Sequence, residues 1–252
     1  MLWRNMRILI YGAGVIGSLY AALFSASGVD TTVYARGRRL ADLRQNGLRY
    51  EKGGRIQTAD VRVLDVLMKD DIYDFIFLTV RENQLHEALV QLWENQSPYI
   101  VTMVNSLEDY SQWEALCGTG RIIPAFPGAG GGFEDGVLHG ALTPRIIQPT
   151  TFGILTPEQE PEVKRLKALF KGAKIPYQQV ADMHAWQLCH LAMVVPIADA
   201  YYEASDPANA GAERTVMAHT AEALRKNFRT LRRNGVRLSP AKCRYSGFFP
   251  FR

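Results

Sequence analysis

Apolar residues in the first two-thirds of the chain gather into short continuous runs, and between the runs they recur every three or four positions. Residues 8–11 form the first run; after a glycine-rich turn, Ile16, Leu19, Tyr20 and Leu23 follow at helical spacing, with Gly28 as the stop. Residues 31–35, 73–80 and 99–104 form further runs, and the last two read as strands covered by helices on both faces. Helical patterns over 38–46, 84–93 and 107–116 alternate with them, and another strand is expected over 121–125. This alternation predicts an α/β fold, a Rossmann-type doubly wound and mostly parallel sheet with right-handed crossovers. Residues 48–50 and 56–58, around Lys52-Gly53-Gly54, predict a small hairpin inserted in the helical layer of the sheet. Residues 137–142, 145–148 and 151–155 predict shorter antiparallel strands that extend the sheet.

From Pro157 the pattern turns mostly helical. An amphipathic helix is expected over 161–171 and a short edge strand over 175–180. An apolar helix follows over 181–204, broken or kinked at Pro196, and a long one over 210–234 ends at Gly235. The boundary is therefore placed near Val180, giving a sheet domain over 1–180 and an all-helical domain over 181–252.

The first run empties into Gly12-Ala13-Gly14-Val15-Ile16-Gly17, a Gly-x-Gly-x-x-Gly turn between a strand and a helix. Gly12 permits the tight turn, Gly14 lets a pyrophosphate approach the backbone, and Gly17 lets helix and strand lie close. The first N–H groups of the helix and its positive dipole end then face the phosphates. Three glycines at this spacing also occur in ordinary loops and in methyl-donor sites, so the end of the next strand matters. A site for NAD usually carries a carboxylate there. This chain has Arg36, followed by Gly37, Arg38 and Arg39, and its nearest acid, Asp30, precedes the strand. A 2′-phosphate, hence NADP(H), is the expected ligand, and Arg36 also argues against a methyl donor, which has no phosphate. Arg81 and Asn105 end two other predicted strands, so four segments are expected to converge on one crevice.

Composition adds bounds. The chain has 252 residues and a formal charge of +4, with one basic group after the second strand and another from Arg225 to Arg237. The latter reads as a solvated helix face rather than a nucleic-acid site. Cys117, Cys189 and Cys243 are few and far apart, with no spacing that suggests a metal. The expected setting is cytoplasmic, with no membrane partner. The apolar end, Phe248-Phe249-Pro250-Phe251, either packs on a partner subunit or marks a chain cut before further helices.

Taken together and in this order, the glycine turn, Tyr34-Ala35-Arg36, Thr79-Val80-Arg81, Val104-Asn105 and Ala185-Trp186 resemble the ketopantoate reductase family across nearly the whole chain. The resemblance implies an NADP-binding N-terminal domain and a helical domain for substrate and dimerisation. It also implies reduction of a 2-keto acid, ketopantoate, to its hydroxy acid in pantothenate biosynthesis (2-dehydropantoate 2-reductase activity). For the cofactor it implies Gly12, Ala13, Gly14, Val15, Ile16, Gly17, Arg36, Arg81 and Asn105.

The family's catalytic lysine after the Trp of the second domain corresponds to Leu188 here, and its first asparagine to Ala192. A second family lysine is Arg81, which keeps the charge but will not give up a proton. The family's later Ser and Glu substrate contacts would lie past Arg252. The candidates for the chemistry are therefore His190, whose ordinary pKa lies near neutrality, and Arg81; His184 and Asp199 rank below them. The reading is NADPH-dependent reduction of a 2-keto acid or related carbonyl, other than ketopantoate itself, held between the two domains. A non-catalytic NADP(H)-binding redox sensor or regulatory protein is the alternative. A homodimer is expected from the apolar tail and the helical second domain.

Overall fold

The computed structural model describes residues 2–239, and its contacts cluster into two compact units, one ending at Ala181 and the other beginning at Asp182. The first unit opens with β1 (Arg7–Tyr11), α1 (Val15–Ala26), β2 (Asp30–Tyr34) and α2 (Gly37–Asn46). A hairpin of β3 (Leu48–Lys52) and β4 (Arg55–Ala59) precedes β5 (Arg62–Leu64). Then come β6 (Phe75–Leu78), α3 (Leu85–Trp93), β7 (Ile100–Thr102), α4 (Tyr110–Cys117) and β8 (Ile122–Phe126). The unit closes with β9 (Ala129–Glu134), β10 (Val137–Leu142), β11 (Thr150–Phe152), α5 (Glu160–Gly172) and β12 (Tyr177–Gln179).

Eight of these strands form one sheet in the order β12-β11-β8-β7-β6-β1-β2-β5. The six from β8 to β5 are all parallel, whereas β11 runs antiparallel to β8 and parallel to β12. The chain moves outward from β1 through β2 to β5, then returns to the other side of β1 and moves outward again through β6, β7 and β8. The strand order reverses between β1 and β6, which opens a crevice at their carboxyl ends. Ile8, Leu9 and Ile10 are fully buried, as are Phe75 to Leu78, because helices cover both faces of the central strands. On one face Phe24 of α1 packs 5.0 Å from Phe77, and Phe170 of α5 lies 6.0 Å from Phe77 and 5.8 Å from Phe152.

The amino ends of the sheet are tied by two arginines. Arg7 donates to the Asp71 carboxylate at 2.8 Å and to the Ile72 carbonyl at 2.7 Å, fixing the connection into β6. Arg121 donates to the carbonyls of Leu92, Cys117, Asn95 and Ser97 at 2.6–2.9 Å. It thus places a cation where α3 and α4 end, which their dipoles favour.

Three sequence expectations are corrected. The hairpin β3–β4 stands as expected but joins β10 and β9 in a separate four-stranded sheet, order β4-β3-β10-β9, and β10 does not extend the main sheet. Residues 145–148 form a turn instead of a strand. The glycine-rich segment after β8, for which no strand is expected above, contains the strand β9, paired antiparallel with β10 from Ala129↔Leu142 to Glu134↔Val137. Glycine is required there by contact. A Cβ on Gly131 would lie 2.2 Å from the His139 carbonyl oxygen, and one on Gly128 would lie 2.4 Å from that of Gln148. The short strand β5 has no counterpart in the sequence reading.

The second unit contains α6 (Met183–Glu203), a 3-10 segment (Pro207–Ala212) and α7 (Arg214–Arg233). Asp182 caps α6 by accepting from the Ala185 N–H at 2.8 Å, and the helix runs through Pro196 as one element rather than breaking. Ala192 accepts from Asn227 and Glu203 meets His219, so α6 and α7 are antiparallel. Cys189, Phe228 and Leu238 are buried between them. The basic side chains of α7 from Arg225 to Arg233 are exposed. Residues 240–252, with Cys243 and the apolar tail, lie outside the described residues. Among those described, no helix is long and apolar enough to cross a membrane, and no group of side chains could hold a metal.

Phe170 carries the prediction for the fold, since it is fully buried and touches Phe24, Phe77, Phe152 and Tyr177. Phe170→Ala should lower the unfolding free energy by about 3–5 kcal/mol, measured by urea denaturation.

Candidate functional site

Gly12 leaves β1 with φ +116°, a conformation that favours glycine, and its N–H donates to the Tyr34 carbonyl at 3.2 Å. Thr79, just past β6, donates its hydroxyl to the Gly12 carbonyl at 2.7 Å. The same oxygens leave no room at Gly17: a Cβ there would lie 2.0 Å from the Gly12 oxygen and 2.5 Å from Thr79 Oγ1. Gly14 is the N-cap of α1, has no side chain to cap the helix, and has nothing within 4 Å of where a Cβ would be. The first N–H groups of α1 at Val15, Ile16 and Gly17 are thus not satisfied by a capping side chain, and the helix dipole adds positive potential there.

A cavity of about 390 Å³ opens over this turn. Gly12, Ala13 and Gly14 form one wall, Ala35, Arg36 and Arg39 a second, and Thr79, Val80, Arg81 and Gln84 a third. Of the residues singled out in the sequence, the structure therefore brings Gly12, Ala13, Gly14, Arg36 and Arg81 together. Val15, Ile16 and Gly17 are the adjoining first turn of α1. Asn105 is exposed beyond the end of β7 and does not line this cavity.

The three cations of the cavity are held differently. Arg39 donates from Nε to the Ala13 carbonyl at 3.1 Å and from Nη2 to Ser18 Oγ at 3.3 Å, pairs with Asp42, and lies 4.4 Å over the Phe133 ring. Burial, partly offset by Asp42, lowers its pKa, and the residue buttresses the glycine turn. Arg36, the N-cap residue of α2, places Nη1 2.8 Å from Oε1 of Glu87 on α3. That hydrogen bond is the largest influence on Arg36 and raises its pKa. Arg81 is exposed and makes no ion pair among the described residues.

Several members of this site were missed in the sequence. Thr79 belonged to an apolar run, and its role follows only from where β6 stops beside β1. Phe133 was hidden in the glycine-rich segment. Behind the cavity Tyr11 and Tyr34 stack with ring centres 4.3 Å apart, and burial pushes the Tyr11 pKa upward. Their other side faces an open groove of about 750 Å³ walled by Val66, Val90, Trp93 and Leu116.

His190 lies on α6 in the second unit, its ring stacked on Trp186 with centres 5.2 Å apart and planes 6° from parallel. Burial pushes its pKa down to about 4. At neutral pH the imidazole is uncharged, so it offers a hydrogen bond but not the ready proton expected from its ordinary value.

A model of the family described as ketopantoate reductase PanE/ApbA matches residues 8–141. A 2-dehydropantoate 2-reductase of Mesorhizobium japonicum is 32% identical over 105 residues, which are 40% of this chain and 32% of that protein. One of Archaeoglobus fulgidus is 30% identical over 41% of this chain and 34% of its own length. The chain thus spans about a third of the length of the curated relatives it matches. Among solved structures, 2-dehydropantoate 2-reductase from Geobacter metallireducens superposes with a TM-score of 0.75 at 18% identity, covering 96% of this chain and 82% of the other. D-mandelate dehydrogenase with NADH and anilino(oxo)acetate gives 0.73 at 15% identity, covering 96% and 79%. These likenesses establish the fold, a mostly parallel α/β sheet with a helical portion.

The lowered pKa of His190 sets a pH dependence. Between the ordinary value near 6.5 and the folded value near 4, the unfolded chain binds a proton that the folded chain does not. The stabilisation from the neutral ring is thus complete above the ordinary value and is lost as pH falls toward the folded one. Urea midpoints should decline across that window, and His190→Gln should make the decline shallower.

Proposed function

The chain belongs to the ketopantoate reductase PanE/ApbA family, and on that footing we propose that it binds NADP(H) over the glycine turn and reduces a 2-keto acid or related carbonyl to the hydroxy compound. One observation carries this reading: the open helix start at Gly14 and the guanidinium of Arg36 line a single cavity. The residues fit the cofactor. A pyrophosphate needs bare backbone N–H groups, and Gly14 leaves space where any side chain would intrude. In this reading Gly12, Ala13, Gly14, Val15, Ile16 and Gly17 hold the pyrophosphate. Arg36 takes the 2′-phosphate, and Arg81 and Asn105 line the path toward the nicotinamide. The bound cofactor would supply the hydride.

Arg81 is a fixed positive charge with no ion-pair partner among the described residues, so it orients a substrate carboxylate and steadies the negative charge that grows on the carbonyl oxygen. A guanidinium keeps its protons at any working pH. Water supplies the proton that completes the alcohol, since an arginine does not give one up. The substrate class follows from these groups: a carbonyl carrying an anionic neighbour that an arginine recognises.

The test is NADPH consumption by the purified protein with ketopantoate and a panel of other 2-keto acids. Turnover is expected with at least one member of the panel. Arg81→Ala should cut kcat/KM about 100-fold or more, the scale of losing a charge that stabilises the transition state. Binding of NADPH without turnover on any member would overturn the catalytic reading while leaving the cofactor site standing.

A further inference from the structure

We propose that Glu87 is a specificity-determining residue of the cofactor site: it competes with a 2′-phosphate for Arg36 and thereby admits NADH alongside NADPH. The inference rests on the cofactor reading above and deepens it.

The sequence shows no acid at the end of β2, where a site for NAD usually has one, and in the structure Asp30 is engaged elsewhere, 2.6 Å from Arg62 at the far end of the strand. The fold supplies a carboxylate from another element. Glu87, on the first turn of α3, reaches Arg36 with Oε1 2.8 Å from Nη1. The same oxygen accepts from Gln91 Nε2 at 3.1 Å, one helical turn on, and the Gln91 side-chain carbonyl accepts in turn from the Tyr11 hydroxyl. The carboxylate is therefore anchored through Gln91 to a buried tyrosine at the end of β1. Both partners of the ion pair are about half exposed, at 46% and 59%, so the pair adds little to folding. Its consequence is for what enters the cavity.

Two other cations line the cavity. Arg39 is committed to the Ala13 carbonyl, Ser18 and Asp42, and Arg81 sits on the third wall of the cavity. A 2′-phosphate offers only acceptors and about two negative charges, so it must draw Arg36 away from Glu87 and sit near a like charge. A 2′-hydroxyl is a donor, and the Glu87 carboxylate accepts it without disturbing the arginine. One pair thus serves both ligands, each through a different partner.

The experiment is a fluorescence titration of the purified protein with NADPH and with NADH, on the natural sequence, Glu87→Gln and Arg36→Ala, at low and high salt. Glu87→Gln keeps the size of the side chain and removes its charge. It should tighten NADPH about fivefold and weaken NADH about threefold, with the NADPH change shrinking in high salt. Arg36→Ala should weaken NADPH about tenfold or more and leave NADH within about twofold. If Glu87→Gln moves both affinities by the same factor, or neither, Glu87 plays only a structural part and the proposal falls while the cofactor site stands. If the natural protein binds neither dinucleotide, the cofactor reading falls and the proposal with it.

Discussion

The carbonyl oxygen of Gly12 occupies the space that any side chain at position 17 would need, and the arrangement at the centre of the first unit follows from that contact. It brings the start of α1 against the end of β1, and the Thr79 hydroxyl fixes the same oxygen from the end of β6. Since β1 and β6 are the strands between which the sheet reverses its order, one hydrogen-bonded knot holds the floor of the crevice. The cations arrive from outside that knot. Arg39 is bound to it through the Ala13 carbonyl, Arg36 reaches the cavity already paired with Glu87, and Arg81 reaches it with no ion pair among the described residues.

The legible part of this protein is the part written in local pattern. The run from Ile8 to Tyr11, the three glycines and the helical spacing of Ile16, Leu19 and Leu23 specify β1, the turn and α1, because each depends only on neighbours in sequence. The mostly parallel, doubly wound character of the sheet follows from alternation and the handedness of crossovers, whereas its full strand order, with β5 at one edge and β10 in a second sheet, does not. Glu87 left no such signal: it is an exposed acid on an ordinary amphipathic helix, and it gains meaning only when α3 lands beside the end of β2. The same holds for β9. Its glycines look like a loop from the sequence, and two positions need glycine by contact: Gly131, against the backbone of β10, and Gly128, just before β9, against the segment before β11. His190 was legible as a position and not as a chemistry, since an imidazole's proton affinity is set by burial that spacing does not reveal.

The two candidate catalytic groups, as the structure holds them, differ from the lysine of the family. A lysine can both bind and donate a proton, whereas Arg81 binds without donating and His190 is kept uncharged by its surroundings. The family relation reaches this chain most directly through the glycine turn and the sheet around it, the stretch that the family model covers.

Arg121 has a consequence of another kind. Its guanidinium collects the carbonyls that end α3 and α4 together with those of the loop between Asn95 and Ser97, at the edge of the sheet opposite the crevice. Fraying of either helix at that end gives up a hydrogen bond to the same guanidinium, so their last turns are coupled through one side chain. The amides of both last turns are then expected to exchange with solvent at a shared, slow rate.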